Sequence, residues 1–335
     1  MAAVRTVRMA GSNPSPRGGV KDAAWRGVVV AIGLALALSS VLGCAKRPRR
    51  PTARSYAAPA PPPATASAQL LSGDRGWGWL KSKLVADGVP RPQVERTFAD
   101  SRMPAFDGLT FSPYSPKEGG HMYRDFLGPV GTQQARDCRV EWAADLERAE
   151  RRFGVSASVC AAIMTVETRC GRNTGRSIVL YRVARLAMAG EPSNFQYNVR
   201  KWGGDEDPDI ERRLQTRARY LEDTFYPEVR AVFAIAQRER IDPLSIKGSG
   251  AGAFGFPQFL PTSYLNHAAD GNGDGKISLY DPADAAASCA NYLARNGWHR
   301  GLSYQEQRAV IWRYNRSDAY IDTVLTLAQR IDQGS

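Results

Sequence analysis

The chain has 335 residues, 43% of them hydrophobic, which is the composition of a globular protein with one large or two ordinary domains. Its formal net charge is +12, but the first 54 residues hold ten basic residues against one acidic residue and so carry most of that excess. The positive charge therefore belongs to an N-terminal leader and its flank, which argues against a nucleic-acid-binding protein.

The N-terminus has the order of a secretory signal, with a basic region up to Arg26 and then an apolar run from Val28 to Leu42. That run is too short for a membrane-spanning helix, which needs roughly 20 residues. The residues before Cys44 resemble the lipobox of bacterial lipoproteins, in which the cysteine is acylated and becomes the mature N-terminus. We predict a lipoprotein signal peptide over residues 1–44, with a plain secretory signal as the alternative.

The segment 45–72 is rich in proline and alanine and cannot bury a core, so it is predicted to be an extended tether. Apolar periodicity starts at Trp77. We expect an N-terminal helical part over residues 73–135 and a main helical domain over residues 136–335. The resemblance to bacterial lipoproteins implies that Ala45, rather than aspartate, directly after Cys44 favours sorting to the outer membrane, facing the periplasm.

Apolar residues recur every three or four positions along most of the chain after residue 73, which predicts a mainly α-helical protein. The periodic segments are 77–86, 138–152, 156–169, 178–189, 211–223, 228–240, 283–296, 304–314 and 318–331. Glycine, proline and aspartate cluster at 190–209 and 242–257. Breaks of this length are usually functional loops rather than simple connections.

Export also determines how the cysteines are interpreted, because an exported chain folds where disulfides can form. The predicted helices 136–152 and 156–169 are joined by only three residues and should form an antiparallel hairpin. Such a hairpin places Cys138, at the start of one helix, beside Cys170, at the end of the other, and we expect a disulfide between them.

Two further cysteines, Cys160 and Cys289, lie within apolar helical stretches. We expect them to be buried thiols, since free cysteine behaves as a small hydrophobic residue. A second disulfide bridge is the alternative.

Glu167 lies at the end of the apolar helical segment 156–169 and is followed by Thr168-Arg169-Cys170-Gly171. A carboxyl group held against apolar neighbours has a raised pKa and can stay protonated near neutral pH, as a general acid requires. The alternative is a solvated carboxylate at a helix end, with Gly171 as the C-terminal cap. This segment alone does not decide between them.

Residues 270–281 have the order of an EF-hand loop, with side-chain oxygens at positions 1, 3 and 5, glycine at 6 and a main-chain carbonyl at 7. Position 12 is Asp281, where a longer glutamate is usual, so Asp284 is an alternative last ligand. One such loop predicts a structural calcium ion rather than a sensor, with a metal-free turn as the alternative. The other expected ligands are Asp270, Asn272, Asp274 and Lys276.

Residues 247–261 are rich in glycine and place small residues around Ser249 and Gln258, which would let a substrate approach the backbone closely. A phosphate-binding loop is disfavoured, because the Walker spacing and a preceding strand are absent. A serine nucleophile is also disfavoured, because the three histidines of the chain lie in no recognisable triad context.

Four blocks occur in one order: Glu167 to Gly175, Lys247 to Pro261, the calcium loop, and Arg313-Tyr314-Asn315-Arg316-Ser317. Together they resemble the lytic murein transglycosylase B family over most of residues 75–331. The resemblance implies a lysozyme-like helical fold and a peptidoglycan substrate. It also implies a structural calcium ion in an extended loop that favours Asp284 as the last ligand.

By position in these blocks, Glu167 takes the family's catalytic acid/base role. Phe254 stands where the family often has methionine, which should preserve an apolar wall, while Pro257 leaves the fine shape of its loop open. The residues that match the family's contacts with the glycan are Ser249, Gln258, Tyr292, Tyr314 and Asn315.

Ordinary glycosidases use two carboxylates, and the sequence offers one good candidate in Glu167. We therefore expect a lytic transglycosylase that cleaves the bond between N-acetylmuramic acid (MurNAc) and N-acetylglucosamine (GlcNAc) and closes a 1,6-anhydro ring. The alternatives are a hydrolytic muramidase and a non-catalytic, calcium-stabilised wall-binding lipoprotein. The expected partners are glycan strands and, through the lipid anchor on Cys44, a membrane; no organic cofactor is expected.

Overall fold

The computed structural model of the protein describes residues 74–114 and 120–334. The predicted signal peptide, the lipidation of Cys44 and the tether lie outside these residues. The helices in the described residues are α1 Gly78–Ala86, α2 Arg91–Ala99, α3 Pro129–Glu141, α4 Ala143–Phe153, α5 Ala157–Thr168, α6 Val179–Ala187, α7 Pro192–Trp202, α8 Pro208–Glu239, α9 Pro261–His267, α10 Pro282–Arg295, α11 Tyr304–Tyr314 and α12 Asp318–Asp332.

Proline and glycine mark many of the helix boundaries. Five helices, α3 and α7 to α10, begin on a proline, where the missing N–H costs nothing and the fixed φ suits the first turn. Gly154 follows α4 at φ 71° and Gly203 follows α7 at φ 74°, so both end their helices in the left-handed conformation. Local sequence therefore sets these ends.

Two hydrophobic clusters form the core. The first combines α1, α2 and the segment up to Phe111 with α6, α8 and the glycine-rich loop. The second combines α3, α4 and α5 with α10 and α12. The candidate site residues Tyr292 and Tyr314 pack against both clusters, so the site lies where the two clusters meet.

The 32-residue helix α8 replaces the two helices predicted at 211–223 and 228–240. Pro227 lies inside it, yet an unbroken stripe of buried side chains on one face continues through this point, including Leu221, Phe225, Val229 and Val232. Proline usually breaks a helix by removing one hydrogen bond. Here the burial of this face on both sides of Pro227 outweighs that loss.

Two further predictions of the chain organisation differ from the structure. The segment 190–209, expected to be a loop, contains helix α7, whose first turn is capped by the Glu191 side chain accepting from Asn194 N. The boundary expected at residue 135 falls inside α3, and the division into two parts remains a prediction.

The strand content in the described residues is one short antiparallel pair, β1 Ser177–Ile178 and β2 Lys247–Gly248, with Ser177 opposite Gly248. Within the same ranges, no helix combines the length and apolar character that crossing a bilayer requires.

Candidate active site

Glu167 lies in the last turn of α5 and is half-buried. The hydroxyl of Tyr320, on α12, donates a hydrogen bond of 2.8 Å to Glu167 Oε1. Tyr320 is 1% exposed, and this burial together with the charge of Glu167 holds the pKa of Tyr320 well above its usual range. Tyr320 therefore keeps its proton and remains a donor to the carboxylate.

The chain turns sharply directly after Glu167. Arg169, Cys170 and Gly171 are all left-handed, with φ values of 52°, 58° and 77°. Two consecutive non-glycine residues in this region represent stored backbone strain, which is common at functional sites. Gly171 also packs under a ring, because a Cβ atom there would lie 2.8 Å from Phe256.

A disulfide holds this turn against helix α3. Cys138, on α3, and Cys170 are bonded, with Cα atoms 5.7 Å apart. The bond joins α3 to the turn that follows Glu167. Cys160 and Cys289 are free and buried, and the neighbouring Cys160 thiol together with burial raises the pKa of Cys289 well above its ordinary value.

The glycine-rich loop is attached to the end of α5 by two contacts. Thr168 Oγ1 donates to the carbonyl of Phe256 at 3.0 Å. Further on, Gly175 lies so close to the backbone of β2 that a Cβ atom would come within 2.2 Å of Gly248 O and 2.6 Å of Ser249 N. These contacts bring Ser249 to the same region as the turn after Glu167.

Gln258 occupies a tight turn in this loop. Phe254 and Phe259 exchange two main-chain hydrogen bonds of 2.9 and 3.0 Å, and Gln258 between them is left-handed at φ 48°. Its amide nitrogen donates to Thr174 O at 3.2 Å and to Gly255 O at 2.9 Å. Gln258 therefore bridges the glycine-rich loop and the segment that follows Glu167.

Three tyrosine rings lie in a row that begins at Tyr320. Tyr314 lies parallel to Tyr320 at 6.4 Å between centroids, and Tyr292 meets Tyr314 edge-on at 4.9 Å. The Tyr314 hydroxyl donates to Pro257 O, beside Gln258, and the Tyr292 hydroxyl donates to Arg313 O at 2.6 Å. The three rings thus connect Glu167 with the glycine-rich loop.

Asn315 follows Tyr314 and is 8% exposed. Its side-chain Oδ1 is buried and accepts no hydrogen bond from the described residues. A buried acceptor left unpaired costs about 1–3 kcal/mol, so Asn315 Oδ1 needs a donor from outside the described residues.

The loop predicted to bind calcium turns its oxygens inward. Asp270 accepts from the N–H groups of Gly273 and Gly275 at 2.6 and 2.9 Å, and Asp274 Oδ1 accepts from Lys276 N at 2.8 Å. In the described ranges, no three His, Cys, Asp or Glu side chains are grouped as a metal centre. The donor set instead mixes carboxylates with the Asn272 amide and main-chain oxygens, which suits a hard cation.

Asp281 and Asp284 have different positions around this loop. Asp281 Oδ1 caps α10 by accepting from Ala283 N at 2.9 Å and Asp284 N at 3.2 Å. Asp284 is 2% exposed and accepts from Gly271 N at 2.8 Å and Ser278 N at 2.7 Å, so it touches both ends of the loop. Asp284 therefore lies against both ends of the loop, whereas Asp281 Oδ1 is engaged as the N-cap of α10.

The end of this loop supports the glycine-rich segment. The N–H of Phe256 donates to Leu279 O at 2.8 Å, and the Tyr280 hydroxyl donates to Lys247 O. The segment that carries Ser249 and Gln258 is therefore held at Lys247 and Phe256 by two residues that lie between the predicted calcium ligands Lys276 and Asp284.

Sequence reasoning missed two residues. Tyr320 lies just beyond the block Arg313-Tyr314-Asn315-Arg316-Ser317. The sequence feature that indicates it is a tyrosine in the first turn of the next helix. Glu228 is a buried carboxylate, 5% exposed, whose burial the sequence pattern did not indicate. Its two oxygens accept from Thr262 N at 2.7 Å and Thr262 Oγ1 at 2.6 Å, so it caps α9.

Comparison with known proteins identifies the class of protein. The transglycosylase SLT domain family matches residues 74–309. The chain belongs to this family, which confirms the family indicated by the four sequence blocks. The membrane-bound lytic murein transglycosylase B of Escherichia coli is 34% identical over 190 residues, which is 56% of this chain and 45% of that protein. The chain thus spans about half the length of this relative.

Solved structures confirm the fold. The lytic transglycosylase Slt35 of Escherichia coli, solved with bulgecin A and with calcium, has a TM-score of 0.57 at 24% identity, covering 79% of this chain and 95% of Slt35. SltB1 of Pseudomonas aeruginosa has a TM-score of 0.56 at 26% identity, covering 76% of this chain and 96% of SltB1. The mainly helical, lysozyme-like fold of lytic transglycosylases is therefore that of this chain.

Proposed function

We propose that the protein is a lytic transglycosylase that cleaves the β-1,4 bond between MurNAc and GlcNAc in peptidoglycan. The observation that carries the proposal is the placement of Glu167, half-buried, hydrogen-bonded to Tyr320 and flanked by the glycine-rich loop. The similarity to lytic murein transglycosylase B of Escherichia coli supports the same activity.

The carboxylates of the site favour a mechanism with one acid. The two most buried carboxylates in the described residues are Glu228, which caps α9, and Asp284, which is tied to the calcium loop. Both carboxylates already accept hydrogen bonds that hold the fold, so we assign neither as a second catalytic group beside Glu167. A single carboxyl group suffices when the substrate supplies its own nucleophile, whereas hydrolysis by the usual routes requires two.

In the proposed reaction, protonated Glu167 donates its proton to the glycosidic oxygen while the 2-acetamido group of MurNAc supports the anomeric carbon. Ionised Glu167 then takes the proton of the C6 hydroxyl of the same sugar, and that oxygen attacks the anomeric carbon to close the 1,6-anhydro ring. Glu167 ends the cycle protonated, and no water is consumed. The Tyr320 hydroxyl stabilises the ionised form between the two steps.

The other site residues are proposed to position the glycan. Tyr292 and Tyr314 offer ring faces and edges against which sugars can pack. The unpaired Asn315 Oδ1 is suited to accept a hydrogen bond from a sugar hydroxyl or amide. Ser249 and Gln258 place polar groups on a loop whose small residues allow a close approach.

Calcium is proposed to have a structural role. The ion would be held by Asp270, Asn272, Asp274, the carbonyl of Lys276 and Asp284, which supply oxygen ligands only. A bound divalent cation would neutralise these carboxylates and stiffen the segment that holds Phe256 and Lys247 in place. Slt35, solved in complex with calcium, supports this assignment.

The protein is proposed to be an outer-membrane lipoprotein facing the periplasm, anchored through Cys44. Support comes from the order of the N-terminal residues and from the relative of Escherichia coli, which is membrane-bound. Labelling with a palmitate analogue in cells, with Cys44→Ser as the control, tests the anchor directly; unchanged labelling in the variant would disprove it.

Muropeptide analysis by mass spectrometry tests the reaction. Digestion of purified sacculi should release products ending in 1,6-anhydro-MurNAc, each lighter by one water molecule than the reducing product of a muramidase. Glu167→Gln should lower the rate by at least about a thousandfold, because the amide cannot donate or accept the proton. Glu141→Gln, an exposed change on α3, is the matched control. Reducing ends alone would indicate a hydrolase, and full activity of Glu167→Gln would exclude Glu167 as the acid. Release of no products by either protein would leave a non-catalytic wall-binding protein.

A further inference from the structure

A cavity lies between residues 109–114 and helices α6 and α8. It has a volume of about 470 Å³, and its walls include Leu109, Phe111, Leu186 and Leu221, with Arg217 among them. None of these residues belongs to the proposed catalytic machinery. The cavity is large enough for several ligand atoms and combines apolar walls with one fixed positive charge.

Arg217 lacks a counterion in the described part of the chain. It is half-buried, makes no salt bridge there, and contacts the ring of Tyr220 at 4.9 Å. Burial lowers the pKa of Arg217, because its charge is less well solvated there than in water. A half-buried guanidinium without an acid beside it costs free energy. Its planar set of N–H donors matches the two oxygens of a carboxylate ligand.

The wall of the cavity is held rigidly by two buried asparagines. Asn194 Oδ1 accepts from Leu109 N at 2.7 Å, and Asn198 Oδ1 accepts from Phe111 N at 3.0 Å. These asparagines are 2% and 0% exposed. Buried amides that fix a loop backbone pre-organise its shape, as binding sites require.

A second arginine, Arg182, lies between the cavity wall and the glycine-rich loop. Arg182 lies one turn before Leu186 on α6, so the two side chains share a face about 6 Å apart along the helix axis. Arg182 Nη2 lies against the glycine-rich loop, because a Cβ atom at Gly250 would be 3.1 Å away. Its Nε is buried without an acceptor in the described residues. Arg182 therefore adds a second positive charge, placed between the loop of Ser249 and Leu186 of the cavity wall.

We propose that this cavity binds the peptide branches of peptidoglycan through their free carboxylates. Arg217 would hold a carboxylate, and the leucine and phenylalanine walls would receive an aliphatic side chain of the same peptide. Arg182 would meet the part of the branch nearest the sugar. The proposal rests on the proposed function, because it assumes that glycan strands lie along the glycine-rich loop.

Direct binding of a free stem tripeptide, L-alanyl-γ-D-glutamyl-meso-diaminopimelate, tests the site without requiring catalysis. Calorimetry should show binding to the full protein, and Arg217→Ala should weaken it roughly tenfold or more, since a charge-assisted hydrogen bond is lost. Arg217→Lys should lie between the two. Arg219→Ala, exposed on the same helix, removes the same charge and should bind as the wild type does.

A kinetic measurement separates this proposal from the proposed function. We expect the wild type to have a higher kcat/KM on strands that carry peptides than on strands stripped by an amidase, and Arg217→Ala to lose most of that preference. Absence of tripeptide binding, or the same binding and preference in Arg217→Ala and wild type, would overturn the peptide site while leaving glycan cleavage intact. Absence of anhydro products would instead disprove the proposed function.

Discussion

The hydroxyl of Tyr320 and the carboxylate of Glu167 are joined by a 2.8 Å hydrogen bond, although 153 residues separate them in the chain. Tyr320 is in the first turn of α12, where the Ser317 side chain caps the helix by accepting from Tyr320 N. The helix start that follows the Arg-Tyr-Asn motif therefore places the donor against the proposed acid. The Arg-Tyr-Asn motif and the Tyr320 donor therefore belong to one continuous stretch of chain, in which the start of α12 positions the donor.

Replacing Tyr320 by phenylalanine should remove this bond and leave the packing. We expect kcat to fall by roughly tenfold to a hundredfold, because a hydrogen bond to a charged group contributes about 1.5–3 kcal/mol. KM should change little, since Tyr320 touches Glu167 rather than the glycan. Turnover of purified sacculi measures both values, and Tyr304→Phe, an exposed tyrosine on α11, is the control. A raised KM with normal kcat would contradict this role.

Calcium should stabilise the protein through Asp284 rather than Asp281. Addition of calcium after chelation should raise Tm in the wild type, since a ligand at 100 times its Kd adds about 2.7 kcal/mol to the free energy of unfolding. Asp284→Asn should abolish this rise. Asp281→Asn should keep it, because asparagine is also a good N-cap for α10. The opposite pattern in thermal denaturation would reassign the last ligand.

Gly175→Ala should be far more damaging than Gly154→Ala. Both glycines have positive φ, 85° and 71°, so alanine costs about 1–2 kcal/mol in backbone strain at either position. At Gly175 the new methyl group would also meet Gly248 O at 2.2 Å, whereas nothing lies within 4 Å at Gly154. We expect Gly175→Ala to lose activity and to unfold at lower urea concentration. Equal effects of the two changes would contradict the close contact.

Glu228 should make stability depend on pH. Burial raises the pKa of Glu228 above 4.5, so the folded state holds its proton more tightly than the unfolded state does. Its contribution to stability is fully present below pH 4.5 and is lost as the pH rises through the higher folded-state pKa. Glu228→Gln should therefore gain stability relative to wild type as the pH rises.

Urea denaturation at several pH values between about 4 and 8 measures this difference, with the pH range set by the ordinary and raised carboxyl pKa. Glu206→Gln, exposed and outside the helices, should show a constant difference from wild type over the range. A difference for Glu228→Gln that does not change with pH would mean that the Thr262 hydrogen bonds offset the burial of the carboxylate completely.

Local patterns predicted much of the helical fold. Helices α11 and α12 lie where the apolar spacing placed them, because each buries one continuous face. The spacing failed at α8, since packing on both sides of Pro227 overrode the usual effect of proline. It also failed at residue 142, where α3 and α4 separate; Trp142 stacks on Phe256 at 5.1 Å, a contact that no local rule contains.

For the candidate site, too, positions within one segment were predictable and contacts between segments were not. Glu167 and Gln258 were predicted because each lies in a short segment of unusual composition, and Tyr314 was predicted from its match to the family's Arg-Tyr-Asn motif. The contacts between blocks were not predictable, such as Gln258 with Thr174 at 3.2 Å or Tyr320 with Glu167. The choice between Asp281 and Asp284 likewise depends on which carboxylate the fold turns towards the loop.

The disulfide between Cys138 and Cys170 links the proposed acid to the chemistry of the compartment in which the chain folds. Cys170 is three residues after Glu167, so oxidation fastens the turn that directs the chain from the acid to the glycine-rich loop. In a reducing cytoplasm that fastening is absent. On the proposed export route, a precursor there would have an incompletely assembled site, so the proposed glycan cleavage would begin only after oxidation outside the cytoplasm.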